Sequence, residues 1–264
     1  MKPYRQEYGY WKVTKELNKF YNCVSKIHQL FLDYIYKKRI NNIKLKKQYK
    51  IIPLGTFCFS RVITTCNGLK PSKSQGELTC PFDIAFFTKL AKIAELIKTQ
   101  FVTFFDDTVF NEEKQYYENL DLGAIFNHDG KLSKSEFEEK YRNRINNFYN
   151  YLADKTTHKY FLIATRRMIK YSDIDSLFEA INVFCNKDNF NIILINQSPK
   201  NIASYENKLY SKNFYLINDA ENYKTFQEIN KNNNWVGELK KRNSTGARKI
   251  YNACTRNLIK ILSK

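Results

Sequence analysis

Six cysteines and three histidines supply most of the nucleophilic and acid–base chemistry open to this chain. Cys58 stands out among them. It follows Gly55-Thr56-Phe57 directly after the apolar run Tyr49 to Leu54, and the residues behind it, Phe59 to Ile63, resume helical spacing. Strand, tight glycine turn and helix is the order this predicts. A thiol at the start of a helix has its thiolate favoured by the dipole and the free amide N–H groups, and the same amides can stabilise an oxyanion. The alternative is a core thiol, because cysteine is among the most buried residue types.

A cysteine nucleophile needs a base and commonly a third group to hold that base. Of His28, His128 and His158, the first lies in an amphipathic N-terminal stretch and the last precedes a strand, on the side of the sheet away from the expected site. His128 sits in the turn Asn127-His128-Asp129-Gly130, where an imidazole can be presented. Either Asp129 or Asp83 could orient it. A surface turn without function is the alternative. Arg166 and Arg167 follow a core strand directly, where an arginine faces the site and binds a carboxylate or phosphate.

The elements that must position these residues alternate along the chain. Apolar strands are predicted at 49–54, 160–164, 191–195 and 213–217, with helices between them. One helix opens at Ser133 with Glu136 as its capping box, one is capped by Thr88, and one opens at Ser172. This pattern predicts an α/β fold with a central, mostly parallel sheet covered by helices. In such sheets ligands bind beyond the carboxyl ends of the strands, where Cys58 and Arg166 fall. The aromatic, acidic stretch 101–117 carries no clear period. No G-x-x-x-x-G-K-[ST], no G-x-G-x-x-G and no zinc-finger spacing is present, so no metal and no cofactor is expected.

The net charge of +18 is unevenly placed. Residues 1–50 carry 13 Lys and Arg against 3 acids, residues 239–264 carry 8 against none, and residues 51–238 carry 23 of each sign. Three units follow: a basic helical arm at 1–48, an α/β body at 49–238, and a basic helix at 239–264. In the first, Leu17, Phe20, Tyr21, Val24, Ile27, His28, Phe31 and Ile35 recur at helical spacing, so an N-terminal basic amphipathic helix either packs on the body or lies on an anionic membrane surface. A nucleic-acid partner is disfavoured, since neither arm holds the glycine-flanked aromatic motifs of an RNA-binding module. No run approaches the length of a membrane span, no secretory signal opens the chain, and the scattered cysteines read as reduced thiols. A cytoplasmic protein, peripheral at the inner membrane face, is the expectation.

Five blocks in order carry a resemblance over residues 50–170: Ile51-Ile52-Pro53-Leu54-Gly55-Thr56-Phe57-Cys58, Cys80-Pro81-Phe82-Asp83, Ile125-Phe126-Asn127-His128-Asp129, Tyr141-Arg142-Asn143-Arg144, and Phe161 to Arg166. Together they resemble the bacterial and viral family described as papain-like cysteine peptidases of unknown function; Ile84 stands where that family tends to have Trp. More distantly, the Gly-x-x-Cys turn is similar to that of capsule-biosynthesis proteins that handle acyl groups. The resemblance implies Cys58 and His128 as a catalytic pair. A cysteine-dependent acyl-transfer enzyme is therefore expected, a peptidase-like hydrolase or an acyltransferase of surface-polysaccharide metabolism, with a small-molecule, peptide or glycan substrate. In it Arg166 binds an anionic part of the substrate and Gly55 shapes the turn. The alternative is a non-catalytic or glycan-handling membrane-peripheral protein that docks through its basic ends.

Overall fold

The structure, a computed structural model, describes residues 5–167, 169–198, 213–230, 234–242 and 244–264. It is an α/β fold. The helices are α1 (Arg5–Lys46), α2 (Phe59–Cys66), α3 (Leu90–Lys98), α4 (Lys134–Ala153), α5 (Tyr171–Asn182), α6 (Tyr223–Asn230), α7 (Trp235–Lys241) and α8 (Thr245–Leu262). The central sheet has four parallel strands, β1 (Tyr49–Pro53), β6 (His158–Thr165), β7 (Phe190–Asn196) and β8 (Phe214–Asn218), in the order β1-β6-β7-β8. A second, antiparallel sheet was not foreseen: β2 (Phe86–Phe87), β3 (Thr108–Asn111), β4 (Tyr116–Asn119) and β5 (Ala124–Phe126), ordered β2-β5-β4-β3. Its strands are two to four residues long, too short to show a period in the stretch 101–117.

Both faces of the parallel sheet are covered, and side-chain alternation divides the core in two. Ile52, Phe161, Ile163, Ile192 and Leu194 face α3, α4, α5 and the aromatic residues of the small sheet. Ile51, Leu162, Ala164, Ile193 and Ile195 face the layer built by α2, α6, α7 and α8. A strand buried on both sides reads as a continuous apolar run, which is why β6 and β7 are visible in the sequence.

Of three helix starts read from the sequence, one is as expected and two differ. Ser133 caps α4 and accepts from the Glu136 amide, as its motif predicts. Thr88 does not cap α3: Lys89 holds that position, and the Thr88 amide bonds to the Gly123 carbonyl beside β2. α5 begins at Tyr171, with Asp173 accepting from the Lys170 amide.

The two basic ends differ in kind. α8 is a layer of the body: Ile250, Cys254, Leu258 and Leu262 are fully buried, so Lys249, Arg256 and Lys260 ride the outer face of a core helix while Arg248 is buried. α1 touches the body through Gln29, Tyr36, Ile40 and Ile43. The stripe read from the sequence points elsewhere, with Phe20, Tyr21, Ile27 and Phe31 each 60% or more exposed. Five residues advance a helix by about 140°, so Val24 and Gln29 lie on opposed faces.

Candidate active site

Cys58 is the N-cap residue of α2, and its carbonyl accepts from the Val62 amide. The turn that lifts it above β1 runs through the left-handed region at both Gly55 (φ +48°) and Thr56 (φ +43°). At Gly55 a Cβ would stand 2.5 Å from Ile93 Cδ1 and 3.3 Å from Phe87 Cβ, so glycine answers both a backbone and a space requirement there. The Thr56 hydroxyl donates to the Ala164 carbonyl. Because β1 and β6 run parallel in register, Pro53 opposite Leu162, this bond ties the two strand-end loops together and sets Cys58 beside Arg166.

Arg166 is clamped by two rings: its guanidinium carbon lies 4.3 Å from the centroid of Phe57 and 3.9 Å from that of Phe226. Stacking of this kind holds a guanidinium while leaving its N–H fork directional. Burial pushes the Cys58 thiol up, while the positive charge of Arg166 and a bond from the residue's own backbone pull it down. The thiol is the resting form at neutral pH, and the backbone bond and then the charge of Arg166 ease its ionisation. Arg167 is exposed, about 5.9 Å from the Phe86 ring.

Behind Cys58 runs a buried chain of charges. Asp83 is completely buried, with Arg61 Nη1 3.3 Å from its Oδ2. Arg61 is three residues after Cys58 and so one turn along the same helix. Burial raises the Asp83 carboxyl, opposed by the charges of Lys70, Arg61 and Arg144. Arg144 Nη1 in turn lies 3.9 Å from Asp129 Oδ2, which also accepts from the Tyr141 hydroxyl at 2.9 Å, while Lys140 bonds Asp129 Oδ1. Tyr141 and Arg144 lie on the inner face of α4. On the other flank Lys70 bonds Glu77 at 2.7 Å and the Ile51 carbonyl at 2.8 Å. Taking so many charges out of water is costly unless each is compensated, so the alternation of sign is what makes the cluster tolerable.

Neither aspartate holds His128. The two carboxylates face arginine and lysine, and His128 is exposed on the turn after β5. Among the described residues no hydrogen bond or ion pair joins His128 to Cys58, Asp83 or Asp129. Asp129, its neighbour, is buried beneath it. The turn itself is tightly seated, since a Cβ on Gly130 would overlap the Gln115 carbonyl oxygen. His158 opens β6 at the amino edge of the sheet, as expected, bonded to Asn191.

Of the blocks quoted above, that of Cys58 therefore meets that of Arg166 and that of Asp129 meets that of Tyr141 and Arg144, whereas Asp83 meets Arg61, which lies outside them. Sequence reading missed Arg61, Lys70 and Glu77, and the clamp formed by Phe57 and Phe226. Only Arg61 had a local signal, its spacing of three from Cys58. Beyond β7 and β8, Asp219 is buried and accepts from Gln197 Nε2 at 3.1 Å and from the Asn222 amide; this polar floor also escaped the sequence. Among the described residues no group of three or more His, Cys, Asp or Glu is placed to hold a metal ion, and no helix is long and apolar enough to cross a membrane. In comparison with known proteins, no family model matches this chain, and no curated protein or solved structure matches it significantly.

Proposed function

We propose that the protein is a cysteine-dependent acyl-transfer enzyme in which Cys58 is the nucleophile and Arg166 anchors an anionic part of the substrate. The observation that carries this reading is the placement of Cys58 at the start of α2, at the carboxyl edge of the parallel sheet and under the charge of a ring-clamped arginine. The thiol gives up its proton and attacks a carbonyl carbon. The leaving group departs with a proton, and the acyl group passes from sulfur to water or to a hydroxyl of a glycan or other acceptor. His128 is the proposed base. In the free protein it is not yet at the sulfur, and base–nucleophile contacts commonly tighten only when substrate is bound. The Asp129 and Asp83 carboxylates hold the frame of the site through Arg144 and Arg61 rather than holding the imidazole.

Turnover of p-nitrophenyl acetate by the full chain tests this. Loss of steady-state release in Cys58→Ser and a strong decrease in His128→Ala, with turnover retained in Cys23→Ser, is expected; Cys23 is exposed and serves as the reference thiol. Equal turnover in wild type and Cys58→Ser refutes the nucleophile, and unchanged turnover in His128→Ala refutes the base.

A second reading, of a non-catalytic or glycan-handling protein at the cytoplasmic membrane face, is favoured by α1. Its outward stripe of large apolar residues, in a basic segment, has the composition of a helix that lies in a lipid interface. The membrane placement of this reading, though not its lack of catalysis, is compatible with the first, since the stripe also suits an enzyme whose acceptor is at a membrane.

A further inference from the structure

We infer that the cleft where the carboxyl ends of α1 and α8 come together is a binding site for a small, multiply charged phosphate-bearing anion. Gln29 exchanges side-chain hydrogen bonds with Asn252 at 3.0 and 3.2 Å, and further on residues 39–47 flank residues 256–263, so the two helices run side by side in the same direction. Between their ends is a cleft of about 480 Å³. Its walls carry Arg39, Lys46 and Lys47 from one segment and Arg256 and Lys260 from the other, over a floor of Ile43, Ile259 and Leu262.

Charges of one sign gathered this way repel one another unless something neutralises them. Among the described residues no acid does so: none of the five cations takes part in a salt bridge, and the flanking residues 34–76 and 239–264 contain neither Asp nor Glu. Two helix carboxyl ends contribute roughly half a negative charge each, which offsets about one of the five. The surplus asks for an anion carrying several charges. The two arginines offer planar forks suited to phosphate oxygens, and the Asn42 amide lies on the same wall. None of the lining residues is aromatic, so the site provides no stacking surface for a nucleobase. An oligophosphate, or the phosphorylated headgroup of a lipid, fits this chemistry.

The cleft is separate from Cys58. Lys46 and Lys47 precede the first residue of β1 and Cys58 follows its last, so the two lie at opposite edges of the sheet, and this inference does not depend on the acyl-transfer reading.

Titration calorimetry of the full chain with inorganic pyrophosphate and with inositol hexakisphosphate, at low and high salt, tests it. Saturable 1:1 binding is expected, weakening steeply with salt and about tenfold or more in Arg39→Gln/Arg256→Gln. Lys155→Gln/Lys187→Gln, which removes the same charge from exposed positions elsewhere, should bind like wild type. All substituted side chains are exposed, and unchanged thermal melts verify folding. A second arm uses phosphatidylcholine vesicles with and without phosphatidylinositol 4-phosphate. Binding that requires the phosphorylated lipid and both arginines assigns the site to a headgroup, whereas binding of soluble anions alone assigns it to a free oligophosphate. Equal weakening in the two double variants, no binding of either anion, or tight binding only to single-stranded RNA overturns the inference.

Discussion

The guanidinium carbon of Arg166 lies over Phe57, 4.3 Å from its ring centroid, and Phe57 is the residue immediately before Cys58. The charge that favours the thiolate is thus held by the neighbour of the thiol itself. Arg166→Gln removes that charge and leaves burial, the larger influence, unopposed by it. The pH profile of Cys58 alkylation by iodoacetamide, followed by peptide mass spectrometry, should shift to higher pH in this variant. Labelling of exposed Cys23 provides the internal reference. A profile that stays in place, or moves down, removes Arg166 from the role assigned to it.

The buried charges behind Cys58 predict an asymmetry between ion pairs. Arg144→Ala removes one of three partners of the buried Asp129 carboxylate, leaving Lys140 and Tyr141, and should cost about 1–3 kcal/mol in urea unfolding. Lys98→Ala breaks a pair whose members are both more than half exposed and should be close to neutral. Similar small losses in both would mean that solvent reaches the Arg144 cluster.

Glu77 gives that region a dependence on pH. Lys70 and Lys50 outweigh burial and hold its carboxyl below the usual range. A depressed folded pKa contributes stability that is present above the unfolded value of about 4.3 and is lost as pH falls through the folded one. Asp83, whose carboxyl is raised by burial, acts with the opposite sign. Unfolding at pH 7 and at successively lower pH should therefore show Glu77→Gln destabilised at neutrality, with the gap to wild type narrowing in acid. A gap independent of pH would show that the pair is structural without being ionic.

Gly55→Ala tests the turn. The added Cβ meets Ile93 and Phe87 at a residue with φ +48°, and overpacking of this kind costs roughly 1–3 kcal/mol. Because the turn also presents Cys58, the alkylation rate at Cys58 should change together with the unfolding midpoint. An unchanged midpoint would refute the close approach.

For the membrane reading, Phe20→Asp, Ile27→Asp and Phe31→Asp alter residues that α1 turns away from the body. Flotation with anionic vesicles should fall while the melting temperature holds. Deletion of residues 239–264 should instead abolish folding, because it removes the buried side chains of α8. Unaltered flotation in the triple variant would leave the stripe without a lipid role.

Local patterns carried much of the fold. Capping by Ser133 and Glu136, the apolar runs of β6 and β7, and the helical stripe of α1 are all written within a few residues of one another, and caps and periods are properties of short segments. The turn Gly55 to Cys58 was legible for the same reason, since a glycine between strand and helix signals a backbone requirement. Tertiary structure decided the rest. That Asp83 and Asp129 would be taken by Arg61 and Arg144 depends on how α2, on one face of the parallel sheet, and α4, packed with the small sheet on the other, are brought together, and no spacing along the chain encodes which charge meets which. The two basic ends have alike compositions, yet α8 is sealed into the core and α1 shows its apolar stripe to solvent. Periodicity reports that a helix has an apolar face, whereas the number of such faces the body can cover is settled only when all layers compete for the same sheet.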